Sequence, residues 1–225
     1  MKFTLAQEHI DHFRKTGSIE FEEVFSEKEC SALLLKAVEL LTKNTGASER
    51  LPLDEMSNEN LFLHGKNLWK EGLEIKKLCT KKQVGEIAYH FFRKKPIKLA
   101  YDLYIRTGDL QDCPFKEDAS LQQISSIRPT LGALIIQLSS DALSIDSPAV
   151  PKKMGSALFV SGTMVLPLQQ LFSERGASFL VIAITAERPV YCLEPKDPHT
   201  HDLKREGLVF GDIAGEDLCP TLYYP

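Results

Sequence analysis

The sequence predicts an α+β protein in which helices come first and a barrel or jelly roll of short strands follows. Up to about residue 95 the apolar residues recur at helical spacing, and beyond Pro96 they alternate as strands do. The predicted strands cover residues 97–105, 131–138, 157–160, 164–168, 178–185 and 190–193. Many short strands separated by Gly, Pro and Asp are typical of a barrel or jelly roll. The order of elements argues against a doubly wound sheet, which alternates strand and helix.

A chain of 225 residues is long enough to bury one sizeable core. We therefore expect a single domain over residues 1–225. Within it, residues 1–96 form a mainly helical buttress, and residues 97–225 form the jelly-roll core.

The N-terminal helices carry local start and stop signals. Residues 5–16 predict a short helix closed by Gly17, and residues 18–25 then alternate as a strand. Ser26 and Glu29 form a capping-box pair at the start of a helix that ends at Gly46. Two further helices are predicted at about 57–78 and 81–94, the second ending before Pro96 because the residue ahead of a proline disfavours helix.

Composition points to an ordinary globular protein. Hydrophobic residues make up 43% of the chain and charged residues 26%, and no stretch approaches the roughly 18 apolar residues of a membrane span. The N-terminal segment becomes charged at once and lacks the apolar core of a secretory signal. The five cysteines include no CxxC pair, which favours reduced thiols. We therefore expect a cytoplasmic protein that does not enter a membrane.

A basic segment stands out in a chain of net charge −4. Ten lysines and arginines lie between Lys66 and Lys98, against three glutamates. Such a face could bind nucleic acid or the phosphates of a coenzyme A thioester. The leucines and isoleucines interleaved with it predict instead the solvated face of packed helices, and the acidic pI of about 5.9 weighs against DNA.

Two stretches of sequence carry a resemblance to a known family. The first is the opening phrase HFRKTGSIEFEEVFSEKECSALL, which reads as helix, glycine, strand and a capped helix. The second is the strand around residues 98–105, followed by residues 114–121, PFKEDASL. Together they resemble the phytanoyl-CoA dioxygenase-like members of the iron(II)/2-oxoglutarate-dependent dioxygenases. The resemblance implies a double-stranded β-helix with N-terminal flanking helices, iron(II) and 2-oxoglutarate as cofactors, and a small-molecule or acyl substrate.

The resemblance departs from the family at the metal motif. In that family the strand is followed by Pro-Trp-His-Gln-Asp, whose histidine and aspartate bind iron. Here the three motif positions read Lys116-Glu117-Asp118, so that Asp118 matches the carboxylate and Lys116 replaces the histidine. A lysine ammonium has no lone pair to offer a metal. Iron in these enzymes is held by two histidines and one carboxylate, so the sequence supplies an incomplete set.

The resemblance leaves the distal histidine and the 2-oxoglutarate arginine open. The family's usual lead-in glycine and apolar strand resemble residues 176–185, which places Glu187 at the histidine position. A looser register offers His199 and His201 as the candidates for the distal metal ligand beside Asp118. Arg188 or Arg205 would then form the paired hydrogen bonds to the 2-oxoglutarate carboxylate.

Each of these residues also has a structural interpretation. Asp118 follows Pro114 in a turn-like stretch, where an aspartate commonly caps backbone amides. His199 and His201 have the i, i+2 spacing that places two rings on one side of a strand, but they follow Pro195-Lys196-Asp197-Pro198, which predicts a solvated loop.

Three functions stay open from the sequence. The chain is a divergent iron oxygenase, a member of that fold that has lost catalysis and binds a ligand or partner, or a regulator that binds nucleic acid through Lys76, Lys77, Lys81 and Lys82. No Gly-rich phosphate loop, GxSxG elbow, HExxH or EF-hand pattern is present in the sequence, so the common hydrolase, kinase and zincin activities lack their residues.

Overall fold

The computed structural model describes residues 5–48, 53–107, 113–139, 145–173 and 176–225. Helices dominate the first part of the chain, interrupted by one short strand. The elements are α1 (Gln7–Thr16), β1 (Ser18–Phe21), α2 (Glu27–Thr45), α3 (Asn58–His64), α4 (Leu73–Cys79) and α5 (Lys82–Phe92), with 3-10 turns at Leu53–Glu55 and Leu68–Lys70. Among the described residues, no helix is both long and apolar enough to cross a membrane.

The strongest local signals of the sequence are confirmed at α1 and α2. Gly17 ends α1 with a φ of 81°, a left-handed conformation that glycine adopts without strain. Ser26 caps α2: its side chain accepts a hydrogen bond from the Glu29 backbone N–H, and the Glu29 carboxylate accepts one from the Ser26 backbone N–H in return. The strand after Gly17 is shorter than predicted, because Glu23 adopts a φ of 55° that strands do not allow.

The helix predicted over residues 57–78 is wrong as a single element. It is divided into α3, a 3-10 turn and α4, because the chain pairs with a neighbouring strand at Gly65 and Asn67. The Tyr104 N–H donates to the Gly65 carbonyl at 2.8 Å, and the Asn67 N–H donates to the Asp102 carbonyl at 2.9 Å. A Cβ at Gly65 would lie 2.4 Å from the Tyr104 carbonyl oxygen, so this approach requires glycine.

In the second part of the chain most of the regular elements are strands, as predicted. The strands are β2 (Ile97–Arg106), β3 (Ala119–Ser120), β4 (Ile127–Arg128), β5 (Gly132–Gln137), β6 (Ala157–Ser161), β7 (Val165–Leu166), β8 (Ser178–Thr185), β9 (Val190–Tyr191) and β10 (Thr221–Tyr223), with short helices α6 (Leu168–Ser173) and α7 (Asp202–Arg205). Six strands form an antiparallel sheet in the order β1-β6-β5-β8-β2-β10. Two small antiparallel ladders, β3-β7 and β4-β9, lie apart from it.

The six-stranded sheet separates two hydrophobic cores. Strand β8 is buried along its whole length, and its residues alternate between the two faces. Leu180, Ile182 and Ile184 pack against the N-terminal helices, whereas Phe179 and Val181 pack on the opposite side. That opposite side also holds residues of the two small ladders, so the protein is a mixed α and β structure whose antiparallel sheet is covered on both faces.

Candidate functional site

A narrow cavity lies on the face of the sheet that is turned away from most of the helices. Its wall is mainly apolar, with side chains from the sheet, from α3 and from the segments around β3 and α6. The cavity volume is about 40 Å³. The cavity is therefore small, and it suits a molecule of a few non-hydrogen atoms. The wall includes Phe62, Leu103, Phe115, Ile135, Leu171 and Val181.

Among the described residues, three polar residues share the cavity wall, and Asp197 and His199 are buried. Lys66 follows α3, and Asp197 and His199 come from the loop before α7. Lys66 Nζ lies 4.0 Å from Asp197 Oδ2, and His199 Nδ1 lies 3.7 Å from Asp197 Oδ1. The side chain of Lys66 is 9% exposed and those of Asp197 and His199 are 2% exposed. A cation, a carboxylate and an imidazole are therefore held together in an otherwise apolar environment.

Asp197 is the organising group of this cluster. Its Oδ2 accepts a hydrogen bond from the Ser126 N–H and its Oδ1 accepts one from the His199 N–H, both at 2.8 Å. Burial by itself would raise the pKa of this carboxyl group. The Lys66 charge and the hydrogen bonds from His199 and Ser126 outweigh that effect and hold the pKa of Asp197 well below its usual range. The carboxylate therefore stays ionised.

His199 is oriented by α3. Its Nε2 lies 3.2 Å from the Phe62 carbonyl oxygen, and its ring centroid is 4.8 Å from that of Phe62. Because a carbonyl oxygen can only accept, Nε2 must carry the proton of this hydrogen bond. The expected solvated loop is therefore wrong for His199, which the loop packs into the interior.

Asp118, the predicted carboxylate ligand, lies elsewhere. It is exposed, and its Oδ1 accepts a hydrogen bond from the Gln169 N–H at 3.1 Å, in the first turn of α6. Lys116 is exposed as well, and Glu117 forms an ion pair with Lys196 at 2.5 Å. From this segment it is Phe115 that lines the cavity.

The other predicted site residues are also at the surface. His201, Arg188, Arg205 and Glu187 are all exposed, and none of them is among the residues described along the cavity wall. Of the predicted metal and cofactor ligands, the cavity thus takes His199 and brings it together with Asp197 and Lys66, which the sequence did not single out.

These side chains do not fit an iron site. A facial triad needs three nitrogen or oxygen donors that converge with free lone pairs. Within the described ranges, no group of three His, Cys, Asp or Glu side chains is placed to hold a metal ion. The Nε2 of His199 is directed at a carbonyl oxygen, and Asp118 is hydrogen-bonded to a helix amide at the surface.

The basic segment is partly neutralised by acidic neighbours. Lys70 pairs with Glu206 at 2.8 Å and Lys98 pairs with Glu216 at 2.6 Å. Of the four lysines considered for nucleic acid, Lys77 and Lys81 lie along a surface groove that also contains Glu29 and Glu74. Nucleic-acid binding stays an untested prediction.

Comparison with solved structures identifies the fold. SnoK, described as a non-heme alpha-ketoglutarate-dependent carbocyclase from nogalamycin biosynthesis, superposes with a TM-score of 0.65 at 14% identity, covering 97% of each chain. This chain shares its fold with 2-oxoglutarate-dependent enzymes. CytC3 with Fe(II) and alpha-ketoglutarate gives a TM-score of 0.56 at 12% identity, covering 87% of this chain and 82% of its own.

A third similar structure is HygX from Streptomyces hygroscopicus with nickel and 2-oxoglutarate bound. It gives a TM-score of 0.51 at 13% identity, covering 93% of this chain and 98% of its own. No protein-family model and no curated protein matches the sequence. The likeness is therefore one of fold, and the phytanoyl-CoA dioxygenase-like subtype stays a prediction.

Proposed function

We propose that this protein binds a small organic molecule in the interior of a 2-oxoglutarate oxygenase fold and that its own residues do not assemble an iron centre. In this proposal residues 1–225 form one domain, with a jelly-roll core over 97–225 and a helical buttress over 1–96. The observation that carries it is the contrast between two of the predicted metal ligands, His199 and Asp118. His199 lies buried in an apolar cavity beside Lys66, while Asp118 lies at the surface against α6.

The chemistry of the cavity supports binding. Small-molecule sites are concave and mainly apolar, with a few polar groups that fix orientation. Here the polar groups are Lys66, Asp197 and His199, and all three are held by contacts with neighbouring elements. The fold neighbour SnoN, an epimerase, forms a complex with Fe3+, alpha-ketoglutarate and nogalamycin RO, so a protein of this fold can bind small organic molecules.

The rival function is a divergent oxygenase in which Asp118 with His199 or His201 holds iron(II), with Arg188 or Arg205 on 2-oxoglutarate. It requires Asp118 to leave Gln169, and either His199 to give up its hydrogen bond to Phe62 or the exposed His201 to enter the cavity. It also requires an exposed arginine to reach the cavity. The binding function needs none of these rearrangements.

Thermal unfolding distinguishes the binding function from the oxygenase function, since a ligand that binds the folded state raises the melting temperature. We expect iron(II) with 2-oxoglutarate, added without oxygen at millimolar concentration, to leave the melting temperature unchanged. We expect small organic molecules of up to about five non-hydrogen atoms to raise it. Ile135→Phe, which fills the cavity, should remove that gain.

A different outcome would support the oxygenase. If iron(II) and 2-oxoglutarate raise the melting temperature and Asp118→Ala removes the gain, the proposal is wrong. Asp217→Ala, a change at an exposed aspartate away from the cavity, serves as the matched control.

A further inference from the structure

We propose that the ends of α1 and α5 form a second binding surface, which takes single-stranded nucleic acid through its phosphates and its unstacked bases. The surface shares no residue with the described wall of the cavity, so this inference is independent of the proposed function. Its charged part consists of five exposed cations, which we call the basic patch: Arg14, Lys15, Arg93, Lys94 and Lys95.

The two halves of the basic patch meet because α1 packs against α5. The Phe13 ring stacks on that of Phe91 at 4.3 Å and contacts that of Phe92 edge-on at 5.5 Å, measured between ring centroids. Arg14 Nη2 donates a hydrogen bond to the His90 carbonyl oxygen at 3.4 Å, although the two residues are 76 positions apart in the chain. The cations at the end of α1 therefore lie beside those that follow α5.

The basic patch is not neutralised by acidic neighbours. In the described part of the chain, none of its five cations forms an ion pair with a carboxylate. Lys77 and Lys81, by contrast, share their groove with Glu29 and Glu74. Unpaired cations that are held close together repel one another, and a polyanion relieves that repulsion. The basic patch is therefore complementary in charge to a chain of phosphates.

Arg93 occupies a backbone position that favours glycine. It ends α5 with a φ of 55°, a left-handed conformation in which a side chain is strained. Lys94 and Lys95 follow beyond the last turn of α5, where the helix dipole no longer accounts for basic residues. An arginine at a strained position, followed by two further cations, supports a role for this end of α5 in holding an anion.

Tyrosine rings border the basic patch on the side of β10. Strand β10 runs antiparallel to β2, with Tyr223 opposite Ile97. Tyr224 therefore continues toward the residues that precede β2, where Lys95 lies, and it is 71% exposed. Tyr223 in turn packs against Tyr89 of α5, with 5.6 Å between the ring centroids. Proteins hold single strands by cations for the phosphates and aromatic rings for the bases, so this combination favours a single strand over a lipid surface.

The test is fluorescence anisotropy of a labelled oligothymidylate of about twelve nucleotides, titrated with the full chain. With five phosphates neutralised at about −0.7 each, the slope of log affinity against log salt should be about −3.5, or about a hundredfold loss between roughly 50 and 200 mM. Lys15→Gln with Lys94→Gln removes one cation from each half of the basic patch and should reduce the slope to about −2. Lys76→Gln with Lys77→Gln, which removes the same charge from α4, is the matched control and should keep the slope.

The exposed ring is tested separately from the charges. Tyr224→Ala should weaken binding of the single strand at least about fivefold, whereas Tyr224→Phe keeps the ring and the affinity. Binding of a duplex of the same length should not change in Tyr224→Ala, because its bases stay stacked inside. An affinity for the single strand that Tyr224→Ala leaves unchanged would contradict the choice of a single strand.

Three further results would overturn the inference. The first is the absence of binding at the lowest salt, or an affinity that does not change with salt. The second is an equal reduction of the slope in the Lys76 and Lys77 control, because net charge would then account for the binding. The third is co-sedimentation with vesicles that contain phosphatidylserine by a protein that leaves the oligonucleotide free, which would make a lipid surface the partner. All the substituted side chains are exposed, and the salt dependence of the wild type is measured without any variant.

Discussion

Asp102 lies fully buried in β2, and replacing it with asparagine should make the protein's stability much less sensitive to pH. Its Oδ1 accepts a hydrogen bond from the Trp69 N–H at 2.9 Å, while Oδ2 has no hydrogen-bond partner in the described part of the chain. Burial raises the pKa of this carboxyl group from 3.8 to about 7, against the smaller lowering effect of the backbone hydrogen bonds from Trp69 and Leu68. The carboxyl group is therefore poised to titrate near neutral pH.

The size of this pH effect on stability follows from the difference between the pKa of Asp102 in the folded protein and its pKa in the unfolded chain. Because the pKa is higher in the folded state, the folded protein binds this proton more tightly than the unfolded chain does. The contribution of Asp102 to stability is thus greatest below about pH 4 and is lost as the pH rises through 7. With pKa values of 3.8 and about 7, the loss amounts to about 2.5 kcal/mol between pH 5 and pH 8.

Urea unfolding followed by circular dichroism at pH 5 and pH 8 measures this contribution. Asparagine keeps an oxygen that can accept from Trp69 and carries no charge, so Asp102→Asn should gain about 2.5 kcal/mol relative to the wild type between the two pH values. The difference between variant and wild type cancels the titration of all other groups. Asp217→Asn, at an exposed aspartate, should show no such gain. A difference between Asp102→Asn and wild type that stays constant from pH 5 to pH 8 would refute the reasoning.

Three further substitutions test the fold by the same unfolding measurements. Leu134→Ala removes a fully buried side chain from the helix-facing core and should cost about 2–5 kcal/mol. Gly132→Ala would place a Cβ 2.1 Å from the Val160 carbonyl oxygen and should cost at least about 2 kcal/mol, since neighbouring backbone must shift. Ser26→Ala removes the cap of α2 and should cost about 0.5–2 kcal/mol.

One of these three substitutions has a matched control, and each has an outcome that would contradict the structure. Leu35, which is 72% exposed on α2, is the matched control for Leu134, and Leu35→Ala should change stability by less than about 0.5 kcal/mol. Equal losses at Leu134 and Leu35 would contradict the assignment of the core. A neutral Gly132→Ala would contradict the close approach of β5 and β6, and a neutral Ser26→Ala would contradict the capping box.

The sequence predicted well those helices and strands whose bounds are set by residues close by in the chain. Helix α2 has its capping pair and its terminal glycine, and β8 spans residues 178–185 as its apolar run predicted. The predicted long helix failed because Gly65 and Asn67 bond to β2, more than thirty residues further along the chain. Strand β10 was missed because its pairing with β2 is also distant, and only three residues carry it.

The candidate site was harder to predict for the same reason. The imidazole of His199 makes it a candidate ligand from the sequence, but its burial depends on packing against Phe62 from α3. Lys66 belongs to a run of lysines that the sequence predicts on a solvated helix face, although its position between Gly65 and Asn67 indicates that the chain leaves the helix there. The sequence around Asp197 predicts a loop, whereas the role of Asp197 depends on contacts with Ser126 and Lys66 that no local pattern encodes. Asp118 does contact a backbone amide, as the structural interpretation of its turn expected.

Metal binding by the wild type and by Lys116→His tests the central claim most directly. The substitution restores His-x-Asp at residues 116–118, yet Asp118 stays hydrogen-bonded to Gln169 and the cavity imidazole of His199 stays directed at Phe62. Equilibrium dialysis against manganese(II) with 2-oxoglutarate should therefore give no stoichiometric metal in either protein. One metal ion per chain in either protein, lost again when Asp118→Ala is introduced, would contradict the account.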